Sequence, residues 1–189
     1  MDANKFSRNS VNRYAAEIRG ASSDRPMRPV MEQITRQFLR AIEEMNMKEA
    51  LSFFAPPTPR VIASLRTPGF IFEGGMELDS FFKDFHDFKK NEFVWKDRIV
   101  PHFIIVDRSR ITCHTVTFRM QRIEEKKPDG TFEEIHHIIV IDYNERSLFN
   151  RLEYREITGK NKTHKGGKKL MENLVIEADT DFITVDHTS

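Results

Sequence analysis

Between residues 110 and 157 the hydrophobic positions alternate with polar ones or run together, and turn residues interrupt them twice. The pattern predicts three strands, over 111–123, 134–143 and 148–157. Lys127-Pro128-Asp129-Gly130 joins the first two and Asn144-Glu145-Arg146 the last two, so an antiparallel meander follows. Upstream the period changes to three and four. Met31, Ile34, Phe38, Ala41, Ile42 and Met45 form one stripe, with Glu32, Gln33, Arg36, Arg40 and Glu43 opposite and Pro29 suited to the first turn. Asn46 and Glu49 have capping-box spacing and predict a second, short helix through Leu51, Phe53 and Phe54, stopped by Pro56, Pro57 and Pro59.

Two short strand-like pieces follow, Val61-Ile62-Ala63-Ser64-Leu65 and Phe70-Ile71-Phe72. Gly74-Gly75 is expected to open a third helix with the stripe Leu78, Phe81, Phe82, Phe85 and Phe88. A strand over 93–106 carries Pro101, which marks a bulge or an edge. Helices first and long antiparallel strands afterwards make an α+β order, without the crossovers of a parallel sheet. The expected division is a disordered, polar arm over 1–28, one folded domain over 29–158, and a basic linker with an acidic tail over 159–189. The tail holds apolar beads at Leu174, Val175, Ile176, Phe182, Ile183 and Val185.

Composition sharpens this reading at a few points. Sixteen phenylalanines against one tryptophan and three tyrosines imply a large, dry interior. A net charge of +1 argues against nucleic acid as a partner through a basic surface, and the run from Lys160 to Lys169 is preferred as a solvated linker over a nuclear-localisation tract. Cys113 stands alone, which excludes an internal disulfide and fits a reducing compartment. The polar opening leads into no secretory h-region and no run is long enough for a bilayer. The expectation is a cytoplasmic protein, with the nucleus also open to it, and no membrane contact.

Three stretches carry a family resemblance. Phe38 to Asn46 continuing through Ala50-Leu51-Ser52-Phe53-Phe54-Ala55 is similar to an opening helix pair. Phe72-Glu73-Gly74-Gly75-Met76-Glu77-Leu78-Asp79-Ser80-Phe81-Phe82 is like a glycine-led third helix, and Ser147-Leu148-Phe149-Asn150-Arg151-Leu152-Glu153-Tyr154 like a closing strand. Together they resemble the nuclear transport factor 2-like superfamily, with its polyketide-cyclase-like and ketosteroid-isomerase-like branches. The resemblance implies a curved, mostly antiparallel sheet wrapped around three N-terminal helices, often with a pocket and often a dimer through the other sheet face. The residues argue separately for a second covering. Ile135, Ile139 and Ile141 alternate with Ile138 and Val140, so that strand is apolar on both faces. A partner subunit is preferred over the C-terminal beads as that cover.

His114 shares strand parity with Val116, Phe118 and Met120, and His137 with Ile135, Ile139 and Ile141. Facing each other across the hairpin they could serve proton transfer. Tyr154 and Asn150, grouped with Leu148 and Leu152 on the inner face of the last strand, could polarise a carbonyl. The plainer reading, satisfied core or rim residues, outweighs catalysis for all of them. Phe38, Ile42, Phe54, Phe82, Phe85, Phe118, Asn150 and Leu152 are the expected pocket lining. One departure counts against an enzyme: isomerase-like relatives place an acidic base soon after the second helix, and this chain has Ala55-Pro56-Pro57-Thr58-Pro59 there. No metal-ligand spacing and no phosphate loop are present, so neither a metal nor a cofactor is expected. The expected function is a non-catalytic domain binding a small apolar ligand or a partner protein as a homodimer. The alternative is a cofactor-independent lyase or isomerase using His114, His137 and Tyr154.

Overall fold

A computed structural model of the chain describes residues 27–56, 60–67, 70–91 and 95–180; within these stretches the side chains of 60–67, 70–74, 76, 79, 85, 86, 88–91, 95, 96 and 180 lie outside that description. Residues 1–26 of the expected N-terminal arm therefore lie outside the described residues, while Met27 is buried in the core and Arg28 begins the first helix. Helix α1 (Arg28–Glu43) buries Met31, Ile34, Phe38, Ala41 and Ile42, the stripe its period predicts, together with Thr35 and Leu39. It ends in a Schellman turn. Met45 takes the left-handed conformation at φ 60°, Asn46 N–H donates to the Ala41 carbonyl at 2.8 Å and Met45 N–H to that of Ile42 at 3.1 Å. Helix α2 (Met47–Ser52) begins on the capping box, with Glu49 N–H donating to Asn46 Oδ1 and Asn46 Nδ2 donating back to the Glu49 carboxylate at 2.8 Å.

The strands are β1 (Arg60–Thr67), β2 (Phe70–Glu77), β3 (Trp95–Asp107), β4 (Arg110–Gln121), β5 (Thr131–Tyr143), β6 (Phe149–Glu156) and β7 (Lys162–Lys165). Helix α3 (Leu78–Asn91) follows β2, and a single turn, α4 (Arg122–Glu125), follows β4. The order across the curved sheet is β2-β1-β6-β5-β4-β3, and β7 takes up the edge of β5 beyond the end of β6. All pairings are antiparallel except β1 with β6.

Helices α1 to α3 cover one face of the sheet, called the inner face here. Phe38 is its centre. It is fully buried, and the rings of Phe53, Phe54, Phe82 and Phe149 meet it edge-on at 5.0 to 6.5 Å. Burying each such ring contributes about 1.5–3 kcal/mol, with a further increment for the edge-to-face geometry.

Three expectations are corrected. Gly74-Gly75 does not open the third helix. Both glycines lie in β2 opposite Ala63 and Ile62, and the ladder with β1 holds the backbone extended until Leu78. The first strand of the meander stops at Gln121, because 122–125 turns into α4 and leaves Ile123 64% exposed. Gly130 is what brings the chain back so tightly: a Cβ there would stand 2.1 Å from the Glu124 carbonyl oxygen.

The largest correction concerns 159–189. The described part of the expected linker and tail is structured, as a 3₁₀ turn (Thr158–Lys160), β7 and helix α5 (Gly167–Thr180). Gly167, at φ +64°, makes the corner from β7 into α5. Leu170, Met171, Leu174, Val175 and Ala178 recur at helical spacing and pack on Val100, Val116, Phe118, Met120 and Phe132 of the outer face. The chain's own C-terminal segment thus covers part of the face for which a partner subunit was preferred. Phe182, Ile183 and Val185 lie outside the described residues.

Candidate functional site

Strand β4 sorts its side chains by parity. Ile111, Cys113, Thr115, Thr117 and Arg119 point inward, while His114, Val116, Phe118 and Met120 point outward. The inner positions near α1 are apolar, and polar residues gather toward the α4 end. There Asp97 of β3 lies opposite Arg119. Arg119 Nε and Nη2 donate to Asp97 Oδ1 and Oδ2, each at 2.9 Å, and both residues are buried. A bidentate pair of this kind satisfies both charges at once.

His137 pairs with Thr115 in register and so joins the inner face. Its ring stacks on Tyr154 at 4.7 Å and 14°. Thr117 stands between the two, with its hydroxyl 3.5 Å from His137 Nδ1 and hydrogen-bonded to the Tyr154 hydroxyl. Burial drives His137 down to about 3, helped by the Arg119 cation and opposed by Asp97, so the imidazole is neutral. Burial also raises Tyr154 above the ordinary phenol range. Thr115 has no exposed surface and its Oγ1 has no hydrogen-bond partner. An unpaired buried hydroxyl costs about 1–3 kcal/mol and asks for an explanation.

His114 is not part of this site. It pairs with Ile138 and projects from the outer face, so the two histidines expected to meet are separated by the sheet itself. The partner of His114 is His136, with Nε2 and Nδ1 3.0 Å apart. His136 in turn contacts Glu134 Oε1 at 2.8 Å, and Glu134 also holds His164 at 2.7 Å and the Lys162 ammonium at 3.2 Å. Burial, with His136 and His102 beside it, pushes His114 down to about 4. Burial works to raise Glu134, but hydrogen bonds from His136, His164 and Lys162 outweigh it and hold the carboxyl below its usual range.

The expected lining divides in the same way. Phe38, Ile42, Phe54, Phe82 and Leu152 are on the inner side, where they pack into one core cluster. Phe118 is on the outer face under α5. Asn150 is exposed, because a bulge carries the register from Asp142 opposite Arg151 to Tyr143 opposite Phe149 and leaves Asn150 unpaired. The side chain of Phe85 lies outside the described residues. Two concavities formed by described residues lie elsewhere, one of about 410 Å³ along α1 and one of about 370 Å³ beside the β5–β6 turn. Cys113 is buried in the inner core, its thiol pushed up to about 12 by burial. Among the described residues no group of three His, Cys, Asp or Glu side chains is arranged to hold a metal ion, and no helix is long and apolar enough to cross a membrane.

Asp97, Arg119, Thr115 and Thr117 were missed by sequence reasoning. Their signal was present in part: inward parity on β4 puts Thr115, Thr117 and Arg119 in line with Cys113, and an opposite charge stands on β3. The pairing of Asp97 with Arg119 needed the register of the β3–β4 hairpin, which the bulge between Pro101 and Phe103 shifts.

No protein-family model matches the chain, and no curated protein matches it by sequence. Solved structures do match. An NTF2-like protein of unknown function from Burkholderia pseudomallei superposes with a TM-score of 0.54 at 14% identity, over 69% of this chain and 92% of that one. This is the nuclear transport factor 2-like fold. TerC, co-crystallised with polyporic acid, gives 0.52 at 12% identity over 68% and 92% of the two chains. SalBIII, an epoxide hydrolase/cyclase-like enzyme of pyran ring formation in the polyether salinomycin, gives 0.50 at 11% over 71% and 95%. At these identities the likeness is one of fold. Within this nuclear transport factor 2-like fold, the polar cluster of Asp97, Arg119, Thr115, Thr117, His137 and Tyr154 lies on the helix-covered face of the sheet.

Proposed function

We propose that the chain is a non-catalytic domain that binds a small, mostly apolar ligand at the inner polar cluster, and that it works as a homodimer. The observation that carries the reading is Thr115: a fully buried hydroxyl without a partner, one strand from His137 and beside Thr117. Burying a donor and leaving it empty is unfavourable unless something occupies it in the working state. Because Thr115 has no exposed surface, the ligand must open the site as it enters. The aromatic cluster around Phe38 supplies the apolar surroundings.

The lyase or isomerase alternative keeps His137 and Tyr154, but among the described side chains no second histidine stands on this face. A general base works best with a pKa near the working pH, and His137 at about 3 is far from it. For the dimer, the support is the part of the outer face beyond the α5 cluster. Ile105 is 52% exposed there, and Ile138 and Val140 are half-buried. A second copy is a chemically suitable cover for such a strip.

Native mass spectrometry on protein taken from its own cells tests both halves. The expected spectrum is a dimer carrying a discrete small-molecule adduct. A stable monomer at micromolar concentration overturns the dimer, and bare protein that also shifts no compound in a ligand-observed screen overturns the ligand.

A further inference from the structure

We propose that the ligand of the inner site is an uncharged molecule, apolar except for a hydroxyl or carbonyl oxygen held by Thr115, and that the carboxylate of the same skeleton is rejected. The proposal rests on the ligand-binding reading above and adds the class of ligand.

The reasoning is a count of charges and free hydrogen-bonding positions. The cation of the cluster, Arg119, is committed to Asp97 through two bonds at 2.9 Å, and both partners are buried. An incoming carboxylate would have to share that guanidinium with Asp97, leaving two buried anions on one cation. The surroundings add to the penalty. Glu133 lies opposite Arg119 and Glu156 opposite His137, both on the same face as the cluster, so negative groups flank the site on two strands. His137 offers no positive charge to offset them, since burial keeps the imidazole neutral.

The groups left for a ligand are neutral. Thr115 can donate to a carbonyl or accept from a hydroxyl, and its Oγ1 is the position without a partner. Tyr154 is kept as a phenol by burial and already shares Thr117, so it can still offer a lone pair or redirect its hydrogen. The surroundings are apolar: His137 and Tyr154 are stacked ring on ring, Ile139 belongs to the inner core cluster, and Ile135, opposite Thr117, is buried. A buried polar site without net charge selects by the oxygen it can pair, and disfavours any ligand that brings an unpaired charge.

The test is saturation-transfer NMR with the full chain and three probes on one bicyclic skeleton: tetralone, tetralol and the tetralin carboxylate. The ketone and the alcohol are expected to bind at least about tenfold more tightly than the acid, the size of one charge-competition or hydrogen-bond effect. Thr115→Val is expected to weaken ketone and alcohol by about tenfold while its thermal midpoint is unchanged or higher, since an unpaired hydroxyl has been removed. Thr115→Ser, which keeps the hydroxyl, is expected to keep the affinity. Equal or tighter binding of the carboxylate overturns the proposal and leaves the ligand-binding reading standing. Unchanged affinities in Thr115→Val overturn the contact with Thr115. Binding of none of the three overturns both.

Discussion

His114 and His137 are both buried histidines on neighbouring strands, and they differ in almost every physical respect. His137 faces inward, stacks on a tyrosine, and is surrounded by an ion pair that is already closed. His114 faces outward and shares a hydrogen bond with His136, whose other ring nitrogen bonds a carboxylate that also holds His164 and Lys162. One face of the sheet therefore isolates its polar groups, and the other links them into a chain that fastens β7 to β5. The lesson is that burial and residue type do not define a site. What matters is whether the polar groups are paired with each other, as outside, or leave a position unfilled, as Thr115 does inside.

The contrast is most severely tested at the inner ion pair. Arg119→Met takes the bidentate guanidinium away from the buried Asp97 carboxylate and is expected to cost about 3–5 kcal/mol in urea unfolding. The double variant Asp97→Leu with Arg119→Met is expected to recover most of that loss. If the single variant is as stable as the parent, the inner cluster is wet and the picture of an isolated face is wrong.

The next effect is a pH dependence. His137 has a folded value of about 3, below the roughly 6.5 of an unfolded chain. The unfolded state therefore takes up the proton first, and the contribution to stability is full above about pH 6.5 and lost as pH falls toward the folded value. At about 1.4 kcal/mol per unit, His137→Phe is expected to lose about 2 kcal/mol less than the parent between about pH 6 and about pH 4. Identical pH profiles for the two proteins would mean that His137 titrates normally. His114, depressed in the same direction, contributes to the profile of both and does not mask the difference.

The smallest effects belong to the outer face. Glu134→Gln weakens three contacts to β5 and β7, and amide exchange in the ladder from Thr131 to Glu134 with Lys162 to Lys165 is expected to speed up on the order of tenfold. The exposed pair of Arg110 with Asp142 serves as the control. Arg110→Ala should leave the unfolding midpoint unchanged, since screened surface pairs contribute little. A larger effect at Arg110 than at Glu134 would reverse the ranking of the two networks.

Much of the architecture was legible in the chain. The stripe from Met31 to Ile42, the Asn46–Glu49 capping box, the irregularity at Pro101 and the three strands of the meander are local patterns, and each appears where its periodicity or turn chemistry puts it, save that the first meander strand ends at Gln121. The fold class followed from their order. The segment after Ile157 was harder to read, because its lysines mask two short elements. β7 is four residues long and has no apolar alternation, and α5 shows its stripe only against the sheet it covers.

For the site, the sequence alone determined parity: His137 with the inner isoleucines, His114 with Phe118, and Cys113 opposite His114. These follow from the two-residue repeat of a strand and needed no tertiary information. Which residues meet across strands was decided by register, and register depends on bulges and loop closure that no single strand encodes. One bulge moved Asn150 to the surface and brought Phe149 in. Register and the bulge in β3 set Asp97 against Arg119, and register set His137 beside Thr115 and on Tyr154. The meander was written in the order of residues. The unfilled hydroxyl at its polar end exists only because the sheet closed around it.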